Sequence, residues 1–323
     1  MKNKKMISLI LCTVVLLTAC SNYSESSQQI YETSAITATA SSNTTSILSE
    51  NNIAEQSEEI TISETEALLD IELPFATEEV TIEETVLVDE AGIKIIAKKL
   101  ESGIFGTELR LFMENNTETD LTIQCRRVSV NGYMVDTMFS SDVASGKKAN
   151  DCITFVSSDF EKSGIEDIAD IEFSFHIFDS ESWDDYLDTD IIHIKTSISE
   201  NYEYNFNHIG ELVYEGNDVR IILKDLIEDG FLGPSIELYI ENNSDKNITV
   251  QTRDVSINGF MVTAMLSSDI TPGKRIVDEI SFMSSELEEN DIQKVEDVEL
   301  IFHIFDSDSW DTIIDTEIIE MNF

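Results

Sequence analysis

Two stretches of this chain gather most of the side chains with chemical capacity. Asp179-Ser-Glu-Ser-Trp-Asp-Asp-Tyr-Leu-Asp188 and Asp306-Ser-Asp-Ser-Trp-Asp-Thr-Ile-Ile-Asp315 each set several carboxylates and hydroxyls within one short segment. Calcium takes roughly six to eight oxygen ligands, and extracellular modules bind it weakly. Asp179, Glu181 and Asp184 in the first stretch, and Asp306, Asp308 and Asp311 in the second, are therefore candidate calcium ligands. Neither stretch has the turn glycine and distal glutamate of an EF-hand. The same pattern suits a solvated loop in which Ser or Asp caps a short helix and the Trp plugs the end of its domain. Trp183 and Trp310, the only two tryptophans, offer a third use as stacking platforms for a sugar or a protein partner. His176 and His303 hold one place in two matching runs, Phe175-His-Ile-Phe178 and Phe302-His-Ile-Phe305, where a hydrogen-bonded packing role is expected. No second histidine, cysteine or reactive serine stands at a motif spacing beside them, and neither G-x-S-x-G nor H-E-x-x-H occurs. No nucleophile comes with a base, so the chain is expected not to be an enzyme.

The two stretches match because the sequence repeats. Residues 103–192 align with 230–319 at a constant shift of 127, without a gap, and 43 of the 90 positions are identical. Val128-Ser-Val-Asn-Gly-Tyr-Met-Val135 answers Val255-Ser-Ile-Asn-Gly-Phe-Met-Val262. Further upstream Ile93-Lys-Ile-Ile96 answers Val219-Arg-Ile-Ile222 at a shift of 126, so one residue was gained or lost before Gly103. A period of this length is domain-sized, which makes the chain a tandem pair. Its 323 residues suffice for two such domains.

Each copy reads as sheet. Leu121-Thr-Ile-Gln-Cys125 and Ile248-Thr-Val-Gln-Thr252 alternate in polarity as half-buried strands do. Asn131-Gly132 and Asn258-Gly259 between such runs predict two-residue hairpin turns. Gly146-Lys147 and Gly273-Lys274 mark a further turn, and 158–163 and 285–290 read as short helical turns. Seven or eight short strands in about 110 residues predict an all-β chain of two tandem immunoglobulin-like antiparallel β-sandwiches, at 84–197 and 209–323. The Cys…Trp…Cys signature of antibody domains is absent. Cys125 and Cys152 lie on different predicted strands, and both are missing together from the second copy, where Thr252 and Glu279 stand. They are either a disulfide confined to the first repeat or two free thiols, a choice that depends on a Cα separation.

Acidic residues outnumber basic ones 64 to 20, for a net charge of −44. Phosphate recognition needs clustered Lys and Arg, so neither nucleic acid nor an anionic membrane surface is expected as a partner. The matching bases Arg126 and Arg253, and Lys147-Lys148 and Lys274-Arg275, are expected to pair with surface carboxylates, the other reading being a small spot for an anionic ligand.

The N-terminus is an address. A basic start at Lys2, Lys4 and Lys5, an apolar run from Met6 to Leu17, and small residues before a break make a secretory signal. Leu17-Thr18-Ala19-Cys20 resembles the lipobox of bacterial lipoproteins. That resemblance implies diacylglyceryl transfer to the Cys20 thiol, cleavage before it, and loss of the signal peptide 1–19, which takes the charge to −47. Residues 20–83 are rich in Ser, Thr and Glu, contain no Lys or Arg, and keep no apolar period, so they are expected to be a disordered acidic tether. With the lipobox, the tether and the motifs N-G-[YF]-M-V, S-S-D and F-H-I-F-D-S-x-S-W-D, the chain resembles clostridial-type Gram-positive lipoproteins carrying tandem extracytoplasmic β-sandwich domains of unassigned function. The resemblance supplies no catalytic residue. The expected product is a lipid-anchored protein on the extracytoplasmic face of the cell membrane. Its expected role is to bind or adhere to an envelope or extracellular protein or glycan, the other readings being a spacer or scaffold with no specific ligand and, behind both, an unrecognised hydrolase. No cofactor beyond the candidate calcium is implied.

Overall fold

The computed structural model describes residues 79–323. The expected signal segment 1–19, Cys20 and the expected tether as far as residue 78 lie outside the described residues. The described residues belong to one compact unit. Among the described residues, no helix is long and apolar enough to cross a membrane.

Both repeats fold as antiparallel β-sandwiches. In the first, one sheet runs Thr85–Glu90, Ile93–Ser102, Thr107–Asn115, Lys148–Phe155, with the short Thr137–Met138 at its edge. The facing sheet centres on Leu121–Val130 paired with Asp170–Asp179, flanked by Ser140–Val143 on one side and by Asp185–Asp188 and Ile192–Lys195 on the other. Thr107–Asn115 pairs with Lys148–Phe155 and Leu121–Val130 with Asp170–Asp179, the B-with-E and C-with-F arrangement of an immunoglobulin sandwich. Val219–Ile227, Ser235–Asn242 and Arg275–Phe282 repeat the first sheet, and Ile248–Ile257 with Asp297–Asp306 the second.

Alternation decides which face is buried. Ile93, Ile95 and Ala97 face Ile123, Phe173 and Phe175 across the first core; Ile221, Leu238 and Ile280 face Val250, Phe302 and Ile304 across the second. The asparagines of the predicted hairpins do two jobs. Asn131 and Asn258 adopt φ of 51° and 50° with Gly132 and Gly259 at 80°, the doubly left-handed turn that this dipeptide favours. Each Asn side-chain oxygen also accepts two backbone N–H groups at the start of the next long strand, from Ala169 and Asp170 or from Glu296 and Asp297.

The sandwiches are not beads on a string. Tyr133 pairs in parallel with Arg275, so one sheet runs from the first repeat into the second. Ile222, Tyr239 and Val277 of the second repeat pack into the core of the first, and Met134 of the first packs into the core of the second. The connection carries Tyr202, Tyr204, Phe206 and His208 at every second position. Tyr202 and Tyr204 meet edge-on at 5.1 Å, and Phe206 lies edge-on to Tyr133 at 5.7 Å. The buried Arg275 guanidinium sits 3.5 Å over the Phe206 ring while its Nη2 donates to the Gly273 carbonyl. Lys274–Glu172 and Lys162–Glu279, both 2.7 Å, and Arg127–Asp308, 2.6 Å, cross the same seam. Lys274 and Arg275 were expected at the surface; the structure places them in this joint, where Lys274 reaches across to the other repeat.

Of the two readings left open for the cysteines, the structure shows the second: Cys125 and Cys152 are both free. Ile153 and Phe155 point into the core, so Cys152 shares the outward face with Thr154, its sulfur 3.7 Å from the Thr154 hydroxyl. Cys125 projects inward from the opposite sheet and packs against the core, where burial pushes its thiol pKa up. A one-residue phase difference thus sets the two sulfurs on different sides of a sheet.

Candidate functional site

The matching features of the two repeats converge on the outer face of the sheet built on Asp170–Asp179 and Asp297–Asp306. Ile177 and Ile304 face inward, so His176 and Phe178, and His303 and Phe305, face outward. His176 Nδ1 meets Asp188 Oδ1 at 2.7 Å and its ring lies 5.2 Å from Phe178. Phe178 in turn stacks on Trp183 at 5.4 Å, with the planes 17° apart. The second repeat rebuilds this step: His303 Nδ1 to Asp315 Oδ1 at 2.7 Å, His303 to Phe305 at 5.2 Å, and Phe305 to Trp310 at 5.6 Å and 17°. Beside each step, Thr122 donates to Asp142 and Gln124 to Ser140; Thr249 donates to Asp269 and Gln251 to Ser267. Each copy therefore presents one exposed indole, backed by a buried phenylalanine and histidine, with hydroxyl, amide and carboxylate groups beside it.

Trp183 and Trp310 are the outermost rings, 73% and 68% exposed. Neither plugs the end of its sandwich. One indole face rests on phenylalanine and the remainder meets solvent. Both tryptophans also adopt left-handed backbone, φ 63° and 66°, which costs an aromatic residue about 1–2 kcal/mol relative to glycine. Strain held at one place in both copies is a pointer to function rather than to folding.

The acidic loops are built differently from a calcium cage. Asp179 Oδ1 accepts the N–H groups of Glu181 and Ser182, and Asp306 Oδ1 those of Asp308 and Ser309. The Asp179 N–H donates to the Asp184 carbonyl and the Trp183 N–H to the Asp179 carbonyl, which closes the loop, and Asp306, Asp311 and Trp310 do the same. The N–H of Ser182 and then of Glu181 hold Asp179 below the usual carboxylate range; those of Ser309 and Asp308 act likewise on Asp306. Lys246 lies 3.2 Å from Asp306, and Asp308 is taken by Arg127 and Asn247. Among the described residues, neither Asp179, Glu181 and Asp184 nor Asp306, Asp308 and Asp311 bring their oxygens together as metal ligands do; backbone N–H groups hold Asp179 and Asp306, and cations also hold Asp306 and Asp308. Asp179 and Asp306 cap a tight loop, not a helix.

One group among the described residues does converge as metal ligands can: Asp170, Glu172 and His193, with ligand atoms within 4.8 Å of one another. Lys274 already sits on Glu172 and the Tyr204 hydroxyl on Asp170. This cluster reads as an ionic clasp of the joint, in which the Lys274 ammonium already pairs with Glu172.

The repeats differ at the edge of the step. In the second, a cleft lined by Asn217, Asp218, Lys246, Asp311 and Ile313 opens beside the Trp310 loop. In the first, Tyr186 takes the place of Ile313 and its hydroxyl closes onto the Ala91 carbonyl at 2.8 Å. Reading the sequence missed the aromatic connection 202–208. Its period of two was a visible signal, but its partners, Tyr133, Asp170 and Arg275, are distant in sequence.

No family model matches this chain, and no curated protein does. Among solved structures it is similar to the YadV chaperone, at 11% identity and a TM-score of 0.23 over 72% of this chain and all of that one. It is also similar to the Salmonella enterica SafA pilin in complex with the SafB chaperone, at 10% and 0.20 over 73% and 98%, and to the Pseudomonas aeruginosa CupB2 chaperone, at 9% and 0.18 over 67% and 92%. At this level of superposition the likeness carries nothing about activity, ligand or partner.

Proposed function

We propose that this chain is a lipid-anchored, non-catalytic binding protein displayed on the extracytoplasmic face of the cell membrane, each sandwich presenting one ligand-contact face. The observation that supports it best is the duplicated step ending in an exposed, backbone-strained tryptophan at Trp183 and Trp310. An indole face next to carboxylate, amide and hydroxyl groups suits the ring of a sugar, whose C–H face stacks while its hydroxyls hydrogen-bond. An envelope glycan is therefore the favoured ligand. The Cys20 lipobox and the acidic tether supply the address in this reading, and two faces on one chain raise avidity through effective concentration.

Retention of the full chain on purified cell walls tests the binding claim. Trp183→Ala and Trp310→Ala should each weaken retention, and together abolish it. Undiminished retention of the double variant, or none by the natural chain, would favour a spacer without a ligand. Radiolabelled fatty acid tests the address separately: incorporation should disappear in Cys20→Ala.

A further inference from the structure

A second duplicated feature lies away from the tryptophans. The hairpins between Ile93–Ser102 and Thr107–Asn115, and between Val219–Ile227 and Ser235–Asn242, end in Gly103-Ile-Phe-Gly106 and Gly230-Phe-Leu-Gly233. Phe105 is 66% exposed and Phe231 fully so, and Ile104 and Leu232 are exposed beside them. These tips are fixed, not frayed. The Phe105 carbonyl accepts the Ser157 N–H at 3.3 Å and the Leu232 carbonyl the Ser284 N–H at 3.0 Å. Gly106 and Gly233 have φ of 142° and 145°, and a Cβ there would meet the Phe155 carbonyl oxygen at 2.0 Å or the Phe282 carbonyl oxygen at 2.5 Å. Exposed Met138, paired with Thr154, lies near the first tip; exposed Met265, paired with Ser281, and Met283, just before Ser284, lie near the second.

Both tips open at one end of the molecule. The parallel pair Tyr133–Arg275 makes the chain run from the seam toward Phe155 and Ser157 in the first repeat and toward Phe282 and Ser284 in the second. Between the tips lies an acidic patch. Asp136 and Asp159 stand at the first tip, Asp278 and Glu237 across the seam, and Glu228 and Asp229 beside the second tip. Its cations are Lys162, already paired with Glu279, and Lys224 near Glu237. Desolvation and then mutual repulsion raise the pKa of Asp136, with Asp159 and Asp278 as the repelling charges. The patch therefore gains by receiving positive charge.

We propose that this end docks a cationic amphipathic polypeptide segment, whose apolar side chains cover the two tips and whose lysines or arginines meet the carboxylates between them. Charge selects this occupant over a bilayer. Phosphate headgroups would face Asp136, Asp229 and a chain of net charge −44, whereas a basic amphipathic helix complements both parts of the surface.

The test is fluorescence anisotropy of a labelled amphipathic Lys/Leu helix, titrated with the full chain at physiological ionic strength. Saturable binding is expected, stronger than for a scrambled peptide of the same composition. Phe105→Ser with Phe231→Ser should weaken it about tenfold. Asp136→Asn with Asp229→Asn should weaken it too, and more at low salt. Both substituted pairs are exposed, and circular dichroism checks that each variant is folded. Absence of saturable binding, or equal binding by the phenylalanine variant, would overturn the proposal. So would partition of the full chain onto phosphatidylglycerol vesicles through Phe105 and Phe231.

Discussion

At positions 179 and 306 a carboxylate has the sequence spacing of a metal ligand and the structural role of a turn cap. Both roles ask for Asp followed by small polar residues, which is why the spacing alone left them open. Calcium at millimolar levels should therefore leave the melting temperature of the chain unchanged; a saturable rise would restore the metal reading. The same residues set a pH dependence. Folding holds their pKa values below the unfolded ones, so their stabilisation is complete above the unfolded values and is lost as pH falls through the folded ones. A variant with Asp179→Asn and Asp306→Asn should keep the cap and show a shallower loss of melting temperature on acidification. An equally steep loss would refute it. Trp183 and Trp310 make the opposite case, since folding has little use for them. Substituting glycine removes the left-handed strain but also the stacking on Phe178 or Phe305, worth about 0.5–1.5 kcal/mol. Stability in denaturant should change by less than about 1 kcal/mol, while wall retention falls.

Among the elements, strands and hairpins were legible because their signals are local. Period-two polarity marks Leu121–Val130 and Ile248–Ile257, and Asn-Gly demands the positive φ that the turns at 131–132 and 258–259 show. The apolar tips were not legible. Gly-Ile-Phe-Gly reads as an ordinary short turn until Gly106 is seen pressed against the Phe155 carbonyl. Alanine at Gly106 or Gly233 should cost about 1–3 kcal/mol in chemical denaturation, because the conformation and the contact are both lost. A change within experimental error would mean that the tips are not held as described.

In the whole molecule, the unforeseen feature is the joint. Two matching sequences suggested two independent domains, but Tyr133, Phe206, Tyr239 and Arg275 join their cores, and each of these contacts spans sequence that local patterns do not reach. The pair should therefore unfold in one calorimetric transition. Phe206→Ala or Arg275→Ala should lower stability by about 2–3 kcal/mol and separate the transition into two. Two transitions in the natural chain would contradict a shared core. A fixed joint also holds the two tryptophan faces at a constant separation, which suits a repeating polymer better than a single small ligand. The most direct measurement is tryptophan emission of the full chain titrated with soluble cell-wall glycan fragments, because Trp183 and Trp310 are its only tryptophans. A saturable shift to which both contribute is expected, each of Trp183→Phe and Trp310→Phe removing a share. A flat titration, or a shift arising entirely from one tryptophan, would contradict it.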